Sequence, residues 1–368
     1  IQGVSMRTAV SRRDLARMFG VGVVAAGLRP LSAAQPPRRA AAEPIRLSAN
    51  ENPYGPSPAA VAAMREATSL AWRYPDEAGD ALIADLARFH GMPKECFLLG
   101  DGSSEILKLA ASALTSPERS LVIAEPSFEA VAVYARARGA KVMPVPLDAL
   151  FAHDLEKMAV DGAGLVYVCN PNNPTGSITR KGALRAFVAR LRAPVLVDEA
   201  YHHYADSPEY ESVVPLIASH PNLFVARTFS KIYGMAGVRL GYAIAQPEVI
   251  KSLSAQAAWD SVNVFALAAA RASLRDAGWV ATGQKRNAAT RDHVISTLSR
   301  LGYAVIPSQT NFVMFDTGRE VKPLIAALHD RGIDVGRLFP ALPRHLRVTI
   351  GTPEQMKRFL QAFAAVIA

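Results

Sequence analysis

Cysteine is scarce in this chain, which has two cysteines among 368 residues. Two cysteines cannot build the disulfide framework of a small secreted domain, and no cysteine or histidine spacing matches a zinc site. Cys96 and Cys169 each lie beside an apolar run, which favours two free, buried thiols over one disulfide bond. We therefore predict no metal site, and we keep a Cys96–Cys169 disulfide as the less favoured alternative.

The apolar stretch near the N-terminus, residues 18–28, is short. It holds eleven residues, whereas a helix needs about twenty to span a bilayer, so we predict no stable membrane anchor. Arg12 and Arg13 precede this stretch and small residues follow it at 32–34. The order basic, apolar, small is typical of a signal peptide, and the paired arginines resemble a twin-arginine export signal. We predict export to the periplasm through residues 1–34; the alternative is a cytoplasmic protein with an N-terminal arm or tail.

The chain has little excess charge outside this N-terminal segment. Its formal net charge of +9 would fit a nucleic-acid-binding protein if basic residues clustered in the body of the chain. Residues 1–44 hold seven Arg against Asp14 and Glu43, a net charge of +5. The other 324 residues hold 34 Lys and Arg against 30 Asp and Glu, a net charge of +4. Without a basic run among aromatic residues in that body, we predict no nucleic-acid partner.

Half of the residues are hydrophobic and a fifth are charged, a balance typical of a globular chain with a sizeable core. From residue 75 to about 250, short apolar runs alternate with helical patterns. Runs that are apolar on both faces suit the strands of a sheet covered by helices, so the repetition predicts an α/β fold with a mainly parallel sheet. The predicted strands are 121–123, 142–145, 165–168, 195–197 and 223–225.

The pattern changes past about residue 285, where longer helices surround predicted strands at 311–315 and 346–350. The last helix begins after Thr352, which starts a capping box with Gln355. We predict a smaller α+β domain here. The predicted organisation is an export segment at 1–34, an arm at 35–70 that packs on the small domain, a large domain at 71–280 and the small domain at 281–368.

Polar and glycine-rich segments follow the predicted strands. In an open α/β sheet, ligands bind beyond the carboxyl ends of the strands, so these segments predict the site. One of them opens a helix and suits a phosphate at the helix N-terminus. The segments are Gly100–Glu105, 170–176 (NPNNPTG), 198–201 (DEAY) and 228–231 (TFSK), with Arg239 eight residues later.

At these segments the chain resembles the fold-type I, pyridoxal-phosphate-dependent aminotransferases, and among them most closely the histidinol-phosphate aminotransferases. The resemblance covers nearly all of the chain after the export-like segment. The opening segment points to the narrower family, whereas the asparagine loop is shared more widely. The matching segments are 47–58 (LSANENPYGPSP), 73–76 (RYPD), 102–105 (GSSE), 126–128 (PSF), 173–176 (NPTG), 198–201 (DEAY), 230–231 (SK) and 346–348 (LRV).

Lys231 and Asp198 are the residues whose types fit the chemistry most directly. An aldehyde cofactor needs one lysine amine, and Lys231 is predicted to bind pyridoxal 5′-phosphate covalently and to move the proton at the substrate Cα. Asp198 is predicted to keep the pyridine nitrogen protonated. A surface lysine and a helix N-cap are the structural alternatives for these two residues.

The resemblance implies roles for the remaining cofactor residues. Asn173 and Tyr201 would donate hydrogen bonds to the cofactor's phenolic oxygen, and Phe128 would stack on the ring. The phosphate would be bound by two backbone amides, two hydroxyls and a guanidinium, those of Ser103, Ser104, Thr228, Ser230 and Arg239.

The resemblance also implies a homodimer with a shared active site, in which Tyr74 reaches across to the partner's phosphate. Arg347 would bind the substrate α-carboxylate, and Asn311, Tyr54 and Arg337 complete the predicted substrate site. One departure is Gly336-Arg337, where the resemblance leads us to expect an arginine directly after 333–335.

We therefore predict an aminotransferase that exchanges an amino group between an L-amino acid and a 2-oxo acid. Because of the departure at Gly336, we expect a broad or aromatic donor range, with 2-oxoglutarate as acceptor. Histidine biosynthesis is cytoplasmic, which fits poorly with an export signal. The alternatives are histidinol-phosphate aminotransferase proper and a related pyridoxal-phosphate decarboxylase, lyase or racemase; a non-catalytic protein would be expected to lose Lys231 or Asp198.

Overall fold

A computed structural model describes residues 44–367 of the chain. The predicted export segment, 1–34, and residues 35–43 of the predicted arm lie outside the described residues. Within 44–367, no helix is long and apolar enough to cross a membrane.

Seven strands form the large sheet, in the order β2-β8-β7-β6-β5-β3-β4. Neighbouring strands from β7 to β4 pair in parallel, while β8 runs antiparallel to both β7 and β2. The central strands are buried on both faces, as the continuous apolar runs indicate. The strands are β2 (Phe97–Gly100), β3 (Leu121–Glu125), β4 (Val142–Pro146), β5 (Leu165–Cys169), β6 (Val195–Asp198), β7 (Leu223–Thr228) and β8 (Gly241–Ile244).

Helices cover both faces of this sheet and create two apolar cores, one on each side. Successive side chains of β5 alternate between the two cores, with Val166 and Val168 on one side and Leu165 and Tyr167 on the other. The helices of this part are α1 (Pro58–Glu66), α2 (Asp76–His90), α3 (Ser103–Leu114), α4 (Ala130–Ala137), α5 (Leu155–Met158), α6 (Lys181–Arg190), α7 (Pro247–Ser254) and α8 (Val264–Arg275).

The C-terminal part holds a three-stranded antiparallel sheet, β12-β10-β9, and a parallel pair, β1-β11. Its helices pack on these strands around a third apolar core. The strands are β1 (Ile45–Leu47), β9 (Ala304–Ile306), β10 (Phe312–Asp316), β11 (Ile333–Val335) and β12 (His345–Thr349); the helices are α9 (Ala277–Arg300), α10 (Val321–His329) and α11 (Pro353–Ile367).

The arm divides between the two parts of the chain. β1 pairs with β11 of the C-terminal part, whereas α1 packs against α8 beside the large sheet. Helix α9 runs without a break through residues 280 and 281, where the domain boundary is predicted. Strand β8, which separates β2 from β7, was not predicted, because its segment Gly241–Ile244 is short and follows a polar loop.

Local signals in the sequence match the helix ends. α4 ends before Gly139, which has φ of +77° and donates its backbone N–H to the Arg136 carbonyl at 2.9 Å, closing the helix. α11 begins with the capping box, in which the Thr352 amide donates to Gln355 Oε1 at 2.8 Å and the Gln355 amide donates to Thr352 Oγ1 at 3.3 Å. Cys96 and Cys169 are buried, free thiols.

Candidate active site

The loops that follow β2, β5, β6 and β7 meet at one edge of the large sheet and enclose a cavity of about 400 Å³ with the C-terminal part. Because parallel strands end at the same edge, side chains far apart in sequence converge there. The predicted site residues that line the cavity are Ser103, Ser104, Phe128, Asn173, Asp198, Tyr201, Thr228, Ser230, Lys231, Arg239, Arg337 and Arg347.

Asp198 ends β6 and is 2% exposed. Its Oδ2 accepts a hydrogen bond from the Tyr167 hydroxyl at 2.8 Å, and its Oδ1 accepts one from the Ala200 amide at 3.1 Å. Burial raises the pKa of Asp198 to about 6, although these hydrogen bonds and the charge of Lys231 act in the opposite direction. A cationic partner inside the cavity would relieve this cost and hold the carboxylate ionised.

A buried ion pair fixes the turn that carries Asp198. Glu199 follows it directly and accepts hydrogen bonds from Arg227 on β7, at 2.7 Å from Nη2, and from the Val213 amide at 2.8 Å. Both partners of this pair are almost fully buried, so removal of either would leave an uncompensated charge. The pair thus holds the 198–201 turn against the end of β7.

Lys231 lies three residues beyond β7 and points into the cavity. Its Nζ donates to the Asn50 carbonyl at 3.1 Å and lies 5.5 Å from the centre of the Tyr201 ring. Burial, and then the positive charge of Arg347, lower the pKa of Lys231 to about 8. A substantial fraction of this amine is therefore neutral and nucleophilic near physiological pH.

The N-terminus of α3 faces the same cavity. Gly102, with φ of +77°, precedes the first helical residue, Ser103, and a Cβ at Gly102 would collide with the Arg239 guanidinium. Arg239 Nη1 lies 3.3 Å from Ser230 Oγ, and Thr228 Oγ1 donates to Ser230 Oγ at 3.0 Å. Unpaired helix amides, two hydroxyls and a guanidinium suit an anion such as a phosphate.

Arg347 lines the opposite side of the cavity, on β12, and is 8% exposed. It donates to Asn173 Oδ1 at 2.6 Å and to the Ser48 carbonyl at 2.7 Å, while its buried Nε has no hydrogen-bond partner within residues 44–367. Burial lowers the pKa of Arg347 to about 10. The guanidinium has no carboxylate partner among the described residues, so a substrate carboxylate would supply its missing countercharge.

Arg337 also lines the cavity, but it has a partner. Its Nη2 lies 2.7 Å from Glu129 Oε1, and its guanidinium lies over the ring of Phe339. The preceding Gly336 is tightly enclosed, because a Cβ there would lie 2.7 Å from the Arg347 carbonyl oxygen. A larger residue at position 336 would therefore displace Arg347 or β11.

Three predicted residues do not line the cavity. Tyr74 is 81% exposed on this chain. Tyr54 lies outside the cavity with the Arg286 guanidinium over its ring at 4.9 Å. Asn311 is buried and donates to the Asn50 carbonyl at 3.0 Å, so it supports a segment of the cavity wall without lining it.

Sequence reasoning missed several residues that the structure brings to the site. Tyr167 is hidden in an apolar run, where the alternation of β5 could have predicted its side but not its contact with Asp198. Asn50 lies in the recognised opening segment, yet its hydrogen bond to Tyr201 spans 151 residues. Glu129 and Phe339 carry no pattern of their own.

The side chains present fit pyridoxal 5′-phosphate. The helix N-terminus with its hydroxyls and Arg239 suits the phosphate, the carboxylate of Asp198 suits a protonated pyridine nitrogen, and the partly neutral amine of Lys231 suits an aldehyde. Residues 42–363 match the sequence profile of aminotransferase class I and II. The chain belongs to the class I and II aminotransferase family.

This membership confirms the predicted fold class, enzyme class and cofactor. The chain is a pyridoxal-phosphate-dependent aminotransferase. The roles of the individual site residues remain predictions.

Relatives within the family carry a more specific name. The histidinol-phosphate aminotransferase of Symbiobacterium thermophilum is 42% identical over 332 residues, which cover 88% of this chain and 90% of that protein. The structure of histidinol-phosphate aminotransferase from Sinorhizobium meliloti in complex with pyridoxal-5′-phosphate has a TM-score of 0.83 at 27% identity, covering 88% of this chain and 91% of the other.

A decarboxylase shares the fold. The L-threonine-O-3-phosphate decarboxylase of Porphyromonas gingivalis has a TM-score of 0.79 at 22% identity, covering 87% of this chain and 98% of the other. At this identity the likeness extends to the fold alone. It gives no reason to assign decarboxylation to the aminotransferase.

Proposed function

We propose that the amino donor is an L-amino acid with an uncharged side chain, aromatic side chains included, and that the amino acceptor is 2-oxoglutarate, whose second carboxylate would have to draw Arg337 away from Glu129. The observation that carries the proposal is the ion pair of Arg337 with Glu129 at the cavity wall, 2.7 Å long. It leaves two cavity guanidiniums without a carboxylate partner among the described residues, Arg347 and Arg239, and Arg239 is the one predicted to bind the cofactor phosphate. Arg347 thus matches one substrate carboxylate, and the part of the cavity wall formed by Arg337 and Glu129 is close to neutral.

A phosphorylated donor makes a different demand. Histidinol phosphate has a phosphate ester instead of an α-carboxylate, and a phosphate monoester carries about −1.5 to −2 charges at pH 7. Arg347 alone would compensate roughly half of that charge. Arg337 would have to leave Glu129 to supply the rest, and the unpaired Glu129 carboxylate would then face the cavity.

In this proposal each side chain has a defined task. Pyridoxal phosphate, when bound, would supply an electron sink for the pair left at the donor Cα after its proton is removed. Lys231 accepts that proton at Nζ, which the lowered pKa of about 8 permits. Asp198 keeps the proton on the pyridine nitrogen, and Arg347 orients the substrate by a two-pronged contact with its carboxylate.

Histidinol-phosphate aminotransferase proper is the second candidate. It is favoured by the name of the relative at 42% identity and by Arg337 itself, which lines the cavity and has one exposed ion-pair partner. Exposed ion pairs contribute little free energy, about 0 to 1 kcal/mol, so a phosphate could displace Glu129.

A donor panel with 2-oxoglutarate distinguishes the candidates. We expect glutamate formation from phenylalanine, tyrosine or other uncharged amino acids, with kcat/KM at least comparable to that for histidinol phosphate. A preference for histidinol phosphate of about a thousandfold, roughly 4 kcal/mol of transition-state discrimination, would contradict the proposal and support the second candidate.

Glu129→Gln sharpens this panel. If Glu129 neutralises Arg337, the variant should improve kcat/KM for histidinol phosphate about tenfold and leave phenylalanine little changed. Asp316→Asn is the matched control, because it breaks the exposed ion pair with Arg344 away from the cavity. An equal response of both donors to Glu129→Gln would contradict the assigned role.

We further propose a homodimer with a shared active site. Support comes from exposed large side chains around Tyr74, since Leu70 is 45% and Trp72 is 76% exposed on the single chain. Such a cluster is unusual on a surface that faces water, and burial against a second copy would account for it. Tyr74 would then contact the phosphate bound by the partner.

Mixed dimers test this sharing. Tyr74→Ala and Lys231→Ala chains should each be nearly inactive alone, whereas their mixture should regain up to about a quarter of the parent activity, because half of the dimers are mixed and each of these holds one intact site. Absence of any recovery on mixing, with dimers verified by light scattering, would contradict the shared site.

We also propose export of the folded, cofactor-loaded enzyme through the segment 1–34. Support comes from the paired arginines and from a phosphate site assembled from loops far apart in sequence, which forms only on folding. Replacing Arg12 and Arg13 by Lys should retain the enzyme in the cytoplasm. A cytoplasmic, uncleaved parent protein on cell fractionation would contradict export.

A further inference from the structure

Asn50 occupies a strained and central position above the cavity. It follows β1 by three residues, is 2% exposed and has φ of +55°, in the left-handed region. Its carbonyl oxygen accepts hydrogen bonds from Lys231 Nζ at 3.1 Å and from Asn311 Nδ2 at 3.0 Å. Its side chain reaches Tyr201 and Thr349, on two different parts of the fold.

The contacts with Thr349 fix the orientation of the Asn50 amide. Thr349 Oγ1 accepts from the Asn50 backbone amide at 2.9 Å and donates its own proton to Asn50 Oδ1 at 3.1 Å. The amide oxygen therefore faces Thr349. The amide nitrogen faces the other way and donates to the Tyr201 hydroxyl oxygen at 3.0 Å.

The direction of this last bond matters for Tyr201. A phenol has one proton to donate, and its oxygen accepts in the bond from Asn50. Tyr201 makes no other side-chain hydrogen bond within residues 44–367, so its own proton is free to be donated into the cavity. A hydrogen bond donated to a phenolic oxygen favours the ionised form of that oxygen.

We propose that Asn50 is a positioning residue, which keeps the Tyr201 hydroxyl as a donor toward the cofactor's phenolic oxygen. The proposal rests on the predicted contact between Tyr201 and that oxygen. It assigns to the opening segment a task beyond covering the cavity: the segment sets the direction of a hydrogen bond at the cofactor.

The same network connects this bond to the substrate end. Thr349 follows Arg347 by two residues on β12, so both side chains lie on one face of that strand. A shift of β12 upon carboxylate binding by Arg347 would be transmitted through Thr349 and Asn50 to Tyr201. Asn50 thus joins the two ends of the cavity, as does the hydrogen bond from Arg347 to Asn173.

Two substitutions at position 50 distinguish a role in setting the direction of the hydrogen bond to Tyr201 from a role in packing alone. Asn50→Gly removes the side chain and tolerates the positive φ, and Asn50→Asp keeps the shape and also tolerates that φ. A carboxylate cannot donate to Tyr201 and instead accepts its proton, which turns the donor away from the cofactor. Asn50→Asp should therefore be the more damaging change, with kcat/KM lowered about a hundredfold against about tenfold for Asn50→Gly.

Bound cofactor gives a readout besides activity. The midpoint pH of the bound cofactor's absorbance change should rise by about one unit in Asn50→Gly and further in Asn50→Asp, because the cofactor's phenolic oxygen loses its hydrogen-bond donor. A purely structural role predicts the reverse ranking, since the isosteric Asn50→Asp disturbs packing less. Equal or reversed ranking of the two variants would overturn the proposal.

Tyr201→Phe is the matched control background, because a carboxylate at position 50 also adds charge near Lys231, Asp198 and Arg347. If Asn50 acts through Tyr201, the two position-50 variants should differ much less in that background. A difference that persists unchanged there would overturn the proposal. If Tyr201→Phe alone leaves the midpoint pH of the cofactor's absorbance change as in the parent, Tyr201 does not donate to the phenolic oxygen, and the proposal for Asn50 is overturned. That outcome is distinct from a failure of the donor proposal, which rests on Arg337.

Discussion

The two ends of the active-site cavity are built in different ways. At the cofactor end, side chains follow the strands of one sheet, and each functional group lies within a few residues of a strand end, as Asp198 and Lys231 do. At the substrate end, the contacts join segments nearly a whole chain apart. Arg347 binds the Ser48 carbonyl, and Thr349 binds Asn50, each across 299 residues.

Because of this difference, the cofactor end of the cavity tolerates little change, whereas the substrate end can vary. The cofactor end depends on parallel strands that cannot shift register without exposing the core. The substrate end combines two buried residues of β12, Arg347 and Thr349, with an exposed ion pair, Arg337 with Glu129, which contributes little to stability. We therefore expect changes at the cofactor end to abolish the reaction and changes at the substrate end to alter the choice of donor.

Lys231→Ala should have the largest effect. Without its amine, the enzyme loses both the covalent attachment of the cofactor and the group that moves the Cα proton, so kcat should fall by about a millionfold or more. Steady-state kinetics and a far-UV circular dichroism spectrum check loss of turnover with an intact fold. Lys251→Ala, on the exposed side of α7, is the control, and comparable losses in both variants would contradict a specific role.

Asp198→Asn comes next. The amide keeps the shape of the side chain but cannot stabilise a protonated pyridine nitrogen in a buried site, so we expect kcat to fall about a thousandfold while cofactor still binds. Turnover within about tenfold of the parent enzyme would mean that another group provides this charge. Equilibrium dialysis of the cofactor distinguishes lost binding from lost chemistry.

Arg347→Lys should have a smaller and more selective effect. Lysine keeps the charge but loses the planar fork that matches a carboxylate, so KM for amino acid donors should rise about a hundredfold. The absorbance of bound cofactor should change far less than in Asn50→Asp, because lysine keeps the positive charge at this position. A large spectral change with unaltered KM would reverse the comparison between the two ends.

The meeting of the cofactor-end residues in one cavity could be predicted because their sequence signals are local. A strand end, a glycine turn and a helix start can each be recognised within ten residues, and the order of the loops then fixes their meeting point. The positions of Tyr167 and Asn50 could not be predicted in this way. Their partners, Asp198 and Tyr201, are 31 and 151 residues away, and only the packed fold determines those distances.

The domain plan illustrates the same limit. Strand β8 has four residues and no distinctive pattern, yet it separates β2 from β7 in the sheet. The arm pairs with β11 through three residues, a contact too short to be read from periodicity. Such elements owe their conformation to neighbours rather than to intrinsic propensity.

A last prediction concerns the pH dependence of stability in the cofactor-free protein. Burial raises the pKa of Asp198 from 3.8 to about 6, so the folded state binds more protons than the unfolded chain between these values. This contribution, roughly 2 to 3 kcal/mol, is present below pH 4 and is lost as the pH rises through about 6. In urea titrations, the free energy of unfolding of the parent relative to Asp198→Asn should fall across that window, and a flat or rising difference would contradict the buried environment of Asp198.

Peptide mapping after borohydride reduction of the cofactor-loaded enzyme tests the central claim most directly. Reduction fixes the cofactor on the lysine that holds it, and mass spectrometry then identifies the peptide. We predict a single modified site, Lys231, at the cofactor end of the cavity. A reduced cofactor on any other lysine would contradict the assignment of this cavity as the catalytic site.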